Sequence, residues 1–446
     1  MAKIVMIGAG SVHFNRNFIT DVLLNPGLRD NTLSLVDINP ERLDVMASFG
    51  RKAAEQNGFN TRIEATTNRL EALEGANYVI NTIRVGGLPP SQNDRNILAK
   101  YGLDPDDTMG PGGVFHGLRQ IPAELDICRD MEKLCPDAWF MNVTNPQDMI
   151  SWAMNDYTHV KNVGLCPDPQ LDAVRLARSA GVPFDGVSYS VAGINHLSWY
   201  LEFKRNGEDL YPRLREKFKG DVFSLSDPDW TIQTYDHHIG ENLVAIELFK
   251  RFGVFPNGSG GHISQYLPYF KRRPELTEKF KLKESESVFD HNVKRDKGQD
   301  EELRQQLRSN YKFPITAEYR WAITPANIIY SMETGTPRRM NCNVKNTGLI
   351  TNLLNGCSVQ VPCLVDKEGI HPCYVGELPP QCAALIQSNI NVQGLAVKGI
   401  VEKNKNKIFQ AILLDPLTSA MLSIDEIEKM TGELFQSNKE YLKGFK

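Results

Sequence analysis

A cysteine and a histidine thirty residues apart are the side chains of this sequence with the clearest capacity for chemistry. Cys166 follows the segment Asn162-Val163-Gly164-Leu165, and His196 ends the segment Gly193-Ile194-Asn195-His196. A thiolate and an imidazole are good ligands for one divalent metal ion, and both zinc and manganese suit such a site. Two protein ligands leave the coordination shell open, so we expect substrate oxygens and water to complete it. Either residue alone is more typical of a buried structural side chain.

A glycine turn near the amino terminus predicts a dinucleotide site. Gly8-Ala9-Gly10-Ser11 follows a predicted strand and opens a predicted helix, so its backbone can approach a pyrophosphate closely. Asp37 ends the second predicted strand, where a carboxylate accepts from the ribose hydroxyls and repels a 2′-phosphate. His13 replaces the third glycine of the usual motif, and the alternative is a glycine turn in another α/β protein. The order of these elements favours NAD as the cofactor. An NAD site next to a metal site suggests a redox step on a substrate that the metal holds.

The elements that must position these residues change in character along the chain. Residues 3–7, 32–36, 78–83 and 138–143 are predicted strands that alternate with helical patterns such as 14–24 and 40–57. This alternation predicts an α/β fold with a Rossmann-like, doubly wound parallel sheet. After residue 196, long charged helical patterns, such as 275–308 and 424–442, and short strands predict an α+β domain. We therefore expect a lactate/malate dehydrogenase-like fold, with an NAD-binding domain over 1–195 and a substrate and oligomerisation domain over 196–446.

The composition excludes several classes of protein. The chain has 446 residues, of which 41% are hydrophobic and 23% charged, and its net charge is −4. No basic run of five or more occurs, so we expect no nucleic-acid partner. No apolar run approaches the ~18 residues that span a bilayer, and no signal-peptide pattern occurs, so we expect a cytoplasmic protein without a membrane partner. Eight cysteines without a CxxC pair argue against a disulfide scaffold.

Two further segments have both a structural and a chemical interpretation. Residues 104–113 are acidic and then glycine-rich, which is typical of a surface turn or of a loop that closes over a cofactor. Tyr266 lies in an aromatic segment, where such residues commonly pack in the core. A tyrosine becomes a general base only where a nearby cation or metal lowers its pKa.

The chain resembles glycoside hydrolase family 4, the NAD- and metal-dependent glycosidases, and within it the α-galactosidases. The resemblance extends over the whole length and depends on many short segments in order. They are Gly8-Ala9-Gly10-Ser11, Asp107-Thr108-Met109-Gly110-Pro111-Gly112-Gly113, Thr144-Asn145-Pro146, Gly164-Leu165-Cys166, Gly193-Ile194-Asn195-His196, and residues 262–270, 343–350, 363–366 and 388–393.

The resemblance implies hydrolysis by a redox route. NAD takes hydride from C3 of the sugar, the metal acidifies the C2 proton, and a tyrosine removes that proton. The bond from C1 to the leaving oxygen then breaks by elimination, water adds, and the hydride returns. The resemblance further implies a divalent metal, with manganese expected, and a homodimer or homotetramer. The implied residue roles are metal binding by Cys166 and His196, the base Tyr266, its activator Asp107, and substrate contacts from Asn145 and Arg95.

The chain departs from the family after the metal cysteine. The α-galactosidases have His-Ser-Val there, whereas this chain has Pro167-Asp168-Pro169. Proline cannot be the leaving-group acid that some members place at this position, so Asp168 or water is expected to take that role. A cluster for a sugar 6-phosphate is not evident, which favours a non-phosphorylated sugar or a uronic acid. The resemblance itself implies an α-galactoside or a related non-phosphorylated α-glycoside. An α-glucosidase, a uronidase and a phosphoglycosidase remain alternatives within the family.

Two alternatives lie outside the family. Thr144-Asn145-Pro146 also resembles a strand end of 2-hydroxy-acid NAD dehydrogenases, which would give a net change in NADH. A non-catalytic NAD-binding or sugar-sensing protein is the other, although such a protein has little need for a base and its activator.

Overall fold

Six parallel strands form the amino-terminal half of a large sheet. The structure is a computed structural model that describes residues 1–104, 107–220, 242–282, 285–315 and 325–446. The parallel strands lie in the order β3-β2-β1-β4-β5-β6. Their bounds are β1 (Lys3–Ile7), β2 (Thr32–Val36), β3 (Arg62–Thr66), β4 (Tyr78–Asn81), β5 (Trp139–Asn142) and β6 (Lys161–Gly164). The strand order reverses between β1 and β4, and such a point opens a crevice at the carboxyl ends of the strands.

Helices connect these strands, as the alternation predicts. They are α1 (Val12–Leu24), α2 (Pro40–Gln56), α3 (Arg69–Leu73), α4 (Pro89–Ala99), α5 (Gly110–Leu134), α6 (Gln147–Tyr157) and α7 (Asp168–Ser179). The start of α2 shows why the local sequence folds this way. The Asn39 side chain accepts hydrogen bonds from the amides of Glu41 and Arg42, and Pro40 takes the first helical position, where no amide hydrogen is needed.

The second half adds antiparallel strands to the same sheet. These are β7 (Val187–Ile194), β8 (Leu197–Arg205), β9 (Glu208–Asp209), β10 (Phe255–Asn257), β11 (Arg338–Lys345), β12 (Ser358–Asp366) and β13 (Gly369–Pro372). From β6 the order continues β11-β12-β7-β8-β10, while β9 pairs with β8 and β13 with β12. Asn343 opposite Gly164 joins β11 to β6, and Gln360 opposite Gly193 joins β12 to β7. One mixed sheet therefore extends through both halves.

The helices of the second half cover those of the first. They are α8 (Tyr211–Lys217), α9 (Leu243–Phe252), α10 (Gly260–Tyr266), α11 (Pro274–Lys279), α12 (Ser285–Arg308), α13 (Pro325–Thr334), α14 (Pro380–Val401), α15 (Lys405–Leu413), α16 (Pro416–Met421) and α17 (Ile424–Ser437). α14 packs on α5 and α6, α12 on α1 and α2, and α17 on α4. In the described part of the chain, no helix is both long and apolar enough to cross a membrane.

The predicted domain boundary at 195/196 lies in the tight turn of the β7–β8 hairpin. The two strands pair along their length, from Val187 opposite Arg205 to Ile194 opposite Leu197. Buried apolar residues of both halves belong to one continuous core. The division into two domains stays a prediction. The predicted boundary lies in a hairpin turn inside a sheet that both halves share.

Candidate active site

The residues singled out from the sequence follow the carboxyl ends of neighbouring parallel strands. Gly8 follows β1, Asp37 follows β2, Asn145 lies three residues beyond β5, and Cys166 lies two residues beyond β6. Arg84, which the sequence reasoning did not select, lies three residues beyond β4. Because parallel strands present their carboxyl ends at one edge of a sheet, this edge holds the candidate site.

The glycine turn has the backbone form that a dinucleotide site needs. Gly8 has a φ of +85°, and a side chain there would bring its Cβ to 2.8 Å from the Thr82 carbonyl carbon. The amides of Gly8 and Ala9 both donate to the Val36 carbonyl at 2.9 Å, which holds the turn against β2. The Ser11 side chain does not cap α1, so it does not compete with an anion for the amide groups at this helix start.

Asp37 is tied to the same turn. Its Oδ2 accepts from the Gly10 amide and its Oδ1 from the Asn39 amide, both at 2.8 Å. Each carboxylate oxygen can accept a second hydrogen bond, so the group can also bind ribose hydroxyls. The turn and this carboxylate fit the adenosine half of NAD.

The missing third glycine has a structural explanation. His13 is buried, and its Nδ1 lies 3.2 Å from Oε1 of Gln299 in α12. One turn later, Arg16 donates to Gln306 of the same helix. A histidine therefore occupies this position because α12 packs over the start of α1.

Three side chains from three separate elements form a candidate metal site. Cys166 follows β6, Asp168 begins α7, and His196 occupies the β7–β8 turn with a φ of +64°. One donor atom from each lies within 4.8 Å of the others, and the His196 Nε2 to Asp168 Oδ2 distance is 3.5 Å. Sulfur, nitrogen and carboxylate oxygen together suit a divalent ion such as zinc or manganese. The structure thus places Cys166 beside His196 and adds Asp168 to them.

The environment of Cys166 links its ionisation to the presence of a cation. Burial raises the pKa of the Cys166 thiol well above its usual value, and the nearby Asp168 carboxylate raises it further. The Asp168 amide and the Asn195 side chain act in the opposite direction. A thiolate in these surroundings needs a positive charge beside the sulfur, so metal binding is expected to release the thiol proton.

Helix α10 lies against this candidate metal site. The His262 ring stacks on the His196 ring with centroids 4.0 Å apart and planes 13° apart. The Gly258 amide donates to Asp172 Oδ2 at 2.9 Å and ties the turn before α10 to α7. Residues four apart share one face of a helix, so the buried Tyr266 lies on the same side of α10 as His262.

A second cluster joins two of the strand ends to the acidic loop before α5. Asp107 accepts from Arg84 Nη2 at 3.0 Å through Oδ2 and from Asn145 Nδ2 at 3.2 Å through Oδ1. The acidic loop before α5 packs closely against the first turn of that helix. A Cβ on Gly113 would lie 2.5 Å from the Thr108 carbonyl carbon, so only glycine fits there. Arg84 could have been found from its position after a strand and before the loop glycines Gly86 and Gly87.

A buried hydrogen-bond network connects the two clusters. Asp148 Oδ2 accepts from the Asn195 amide at 2.9 Å and from Gln393 Nε2 at 3.3 Å, and Oδ1 accepts from Ser358. Gln393 Nε2 also lies 3.4 Å from the sulfur of Met109, two residues after Asp107. Burial raises the pKa of Asp148 to about 7. Sequence reasoning missed Asp148, although an acid on the buried face of a helix just after Asn-Pro is a recognisable signal.

For two of the predicted features, the substrate contact of Arg95 and the loop over residues 104–113, the structure gives only part of the expected arrangement. Arg95 is buried in α4, one residue after the Asp94 carboxylate that pairs with Arg119 at 2.6 Å. Its predicted substrate contact stays a prediction. Within the predicted cofactor loop, residues 105–106 lie outside the described residues.

Comparison with known families finds two family models that together match most of the chain. A family model described as "Family 4 glycosyl hydrolase" matches residues 3–182, and one described as "Family 4 glycosyl hydrolase C-terminal domain" matches residues 191–418. The chain belongs to family 4 of the glycosyl hydrolases. The family resemblance inferred from the short motifs is therefore confirmed.

Full-length relatives support the same assignment. An α-galactosidase of Bacillus subtilis (strain 168) is 37% identical over 451 residues, covering 100% of both chains. An α-galactosidase of Rhizobium meliloti (strain 1021) is 32% identical and covers 99% of this chain and 89% of that protein. The structure of a 6-phospho-α-glucosidase from gut microorganisms, in complex with NAD and Mn²⁺, matches with a TM-score of 0.85 at 20% identity over 99% of each chain.

The predicted dehydrogenase-like fold is also confirmed. A malate dehydrogenase of Plasmodium falciparum matches with a TM-score of 0.51 at 15% identity, covering 90% of this chain and 99% of that one. This likeness concerns the fold alone. The family 4 assignment replaces the 2-hydroxy-acid dehydrogenase alternative.

Proposed function

We propose that this family 4 enzyme hydrolyses α-galactosides and uses NAD and a divalent cation, manganese, as its cofactors. The observation that carries the proposal is the cluster of Cys166, Asp168 and His196 at the sheet edge that also holds the Gly8 turn. Two full-length α-galactosidase relatives support the sugar. A related structure that contains NAD and Mn²⁺ supports the cofactors.

The residues of this chain divide into those that hold cofactors and those that act on the sugar. Gly8, Ala9, Gly10 and Ser11 line the place for the pyrophosphate, and Asp37 would bind the ribose hydroxyls. Cys166 and His196 would bind the cation. When bound, NAD supplies a reversible hydride acceptor, and the cation supplies positive charge beside the sugar oxygens.

Tyr266 is the proposed base for the C2 proton of the sugar. A base in this role must face the acidified carbon and must be ionised more easily than an ordinary phenol. The stacked His262 and His196 rings place α10 beside the cation ligands, where a positive charge favours the phenolate. Asp107 is the proposed acceptor that raises the basicity of Tyr266, and the hydrogen bond from Arg84 would orient Asp107.

Asn145 is the proposed anchor for the sugar hydroxyls. Its side-chain amide donates to Asp107 Oδ1, which fixes the amide orientation and leaves its carbonyl oxygen as an acceptor for a hydroxyl. This hydrogen bond therefore links the anchor directly to the activator of the base. Asp168 has two possible duties, as leaving-group acid or as metal ligand.

The cellular setting is part of the proposal. All eight cysteines are free, which suits a reducing compartment, where a thiolate ligand is protected from oxidation. We therefore infer that the enzyme works in the cytoplasm on a small-molecule glycoside. A homodimer or homotetramer is proposed by family analogy, and light scattering coupled to size-exclusion chromatography measures it.

A glycoside panel tests the proposed function. The panel contains p-nitrophenyl α- and β-glycosides of galactose and glucose, a galacturonide and a 6-phosphoglucoside, each with NAD, Mn²⁺ and a reductant. Release from the α-galactoside that stops when any one addition is omitted is the expected result. Release of p-nitrophenol from a different glycoside, and not from the α-galactoside, would overturn the proposed substrate specificity. Net NADH formation without sugar release would overturn the glycosidase.

A further inference from the structure

We propose that Asp168 is a third protein ligand of the divalent cation, so that the chain itself supplies a sulfur, a nitrogen and a carboxylate oxygen. This inference rests on the proposed function in one respect, that a cation binds between Cys166 and His196. It assigns Asp168 to the metal and removes it as a candidate leaving-group acid.

The distance between Asp168 and His196 fits two ligands of one ion better than a direct hydrogen bond. The Oδ2 to Nε2 separation is 3.5 Å, and the cysteine sulfur lies within 4.8 Å of both residues' donor atoms. Ligand bonds of about 2.0–2.3 Å allow neighbouring donor atoms to lie a little over 3 Å apart. A direct hydrogen bond would be about 2.7–3.2 Å long.

A second histidine–aspartate pair in the same chain provides the contrast. In the exposed pair on β12 and β13, His371 Nε2 and Asp366 Oδ1 lie 2.9 Å apart, which is an ordinary hydrogen bond. Within the described part of the chain, this pair is not joined by a third potential metal ligand. Asp168 and His196, in contrast, lie together with the cysteine sulfur of Cys166. The wider spacing at Asp168 leaves room for an ion between the two groups.

The backbone around Asp168 is fixed in a way that suits a ligand. Pro167 and Pro169 flank Asp168, and Pro167 precedes the first turn of α7 with a φ of −76°. Prolines restrict the main chain on both sides of Asp168. A carboxylate oxygen of Asp168 lies within 4.8 Å of the sulfur of Cys166, two residues earlier. Its side chain is 23% exposed, so one side of the cluster stays open for substrate oxygens.

The neighbouring acid of the same helix is already committed elsewhere. Asp172 lies one turn further along α7 and is buried. It pairs with Arg175 at 2.7 Å and accepts from the Gly258 amide at 2.9 Å. Asp172 therefore neutralises Arg175 and supports the turn before α10, whereas Asp168 faces the sulfur and the imidazole.

Metal ligation changes what Asp168 can do in the reaction. A carboxylate whose oxygen binds the cation is not available as the acid for a departing oxygen. Protonation of the leaving group then falls to water. A thiolate and a carboxylate together also balance the charge of the dication, so the ion is expected to bind firmly before the substrate does.

A manganese titration tests the proposal without reference to turnover. The metal-free, reduced full-length protein is titrated with Mn²⁺, and free Mn²⁺ is followed by its electron paramagnetic resonance signal. We expect D168A to weaken Mn²⁺ binding by about tenfold or more, as loss of a ligand should cost at least as much as loss of its supporting partners. C166A is the positive control, and D366N is the matched control because it alters an aspartate that pairs with a histidine outside the site. NAD binding and the melting temperature report the folding of each variant, and D168N provides a second variant of similar size.

The outcomes separate this inference from the proposed function. Wild-type affinity for Mn²⁺ in both D168A and D168N, with binding lost in C166A, would overturn the ligand role and leave the proposed function intact. Failure of the wild-type protein to bind Mn²⁺ would overturn both. Two substrates give an independent readout. A metal ligand lowers kcat by a similar factor for p-nitrophenyl and methyl α-galactosides, whereas loss confined to the methyl glycoside would assign Asp168 as the leaving-group acid.

Discussion

Asp148 accepts a hydrogen bond from the backbone amide of Asn195 at 2.9 Å, and this bond holds the turn that presents His196. The two residues are 47 positions apart, one in the first turn of α6 and the other between β7 and β8. Because Asn145 lies two residues before α6, the contact links the candidate substrate anchor to the candidate metal ligand. The Asn-Pro segment thus has a structural task beside its chemical one.

Substitution of Asp148 is expected to change how stability depends on pH. The pKa of Asp148 is raised to about 7, so the folded state favours its neutral form, and the stability that this form contributes is lost as pH rises from about 4 to 7. D148N keeps the shape without the titration. We expect the melting temperature of the metal-free wild-type protein to fall relative to that of D148N between pH 4 and pH 8. D137N, at a fully exposed position, is the control and should follow the wild-type protein. A constant difference between wild type and D148N would contradict the account.

Tyr266→Phe should abolish most of the hydrolysis and leave NAD binding unchanged. The substitution removes the hydroxyl that would accept the C2 proton, and general-base catalysis contributes about 10²–10⁴-fold. We expect kcat to fall at least ~100-fold. Y374F alters a tyrosine that is 73% exposed and should behave as wild type. Unchanged kcat in Y266F would exclude Tyr266 as the base.

Arg84 and Asp107 should act as one unit. Because Arg84 orients Asp107 at 3.0 Å, R84A and D107N should each lower kcat by about tenfold or more, and the double variant should lose little beyond the larger single effect. A double-mutant cycle on kcat measures this coupling. R62A breaks an exposed ion pair of similar length, between Arg62 and Glu64, and is the matched control. Strictly additive losses would show that the two residues act independently.

Asp37→Ala should weaken NAD binding without affecting the metal. The carboxylate would lose its contacts with the ribose and its hydrogen bond to the Gly10 amide, so the dissociation constant for NAD should rise about tenfold or more. Fluorescence or calorimetric titration with NAD measures the change. D44A alters an exposed acid on α2 and is the control. Equal NAD affinity in D37A and wild type would remove Asp37 from the cofactor site.

The parallel half of the fold was predictable because its signals are local. Lys3–Ile7 and Thr32–Val36 are short buried apolar runs bounded by turn residues, and both strands lie where the pattern predicts them. The predicted helix over residues 424–442 ends at Ser437, because Asn438 leaves the α-helix and a 3-10 turn follows. The union of both halves in one sheet was not predictable, since it depends on single residue pairs such as Asn343 with Gly164.

The candidate site was predictable where residue type alone implies chemistry. Cys166 and His196 stand out because a cysteine and a histidine at these motif positions of a family 4 chain imply metal binding. Arg84 and Asp148 were missed because their importance lies in contacts between distant segments. Asp168 was predicted as a candidate leaving-group acid, but its short distance from His196 is visible only in the three-dimensional structure.

The most direct test of the central claim is hydrolysis of p-nitrophenyl α-galactoside in D₂O, with NAD, Mn²⁺ and a reductant, followed by mass and NMR analysis of the released galactose. If a base removes the C2 proton and solvent returns it during each turnover, the galactose carries deuterium at C2. Galactose with protium at C2, released at the full rate, would contradict the redox-elimination route and point to direct displacement at C1.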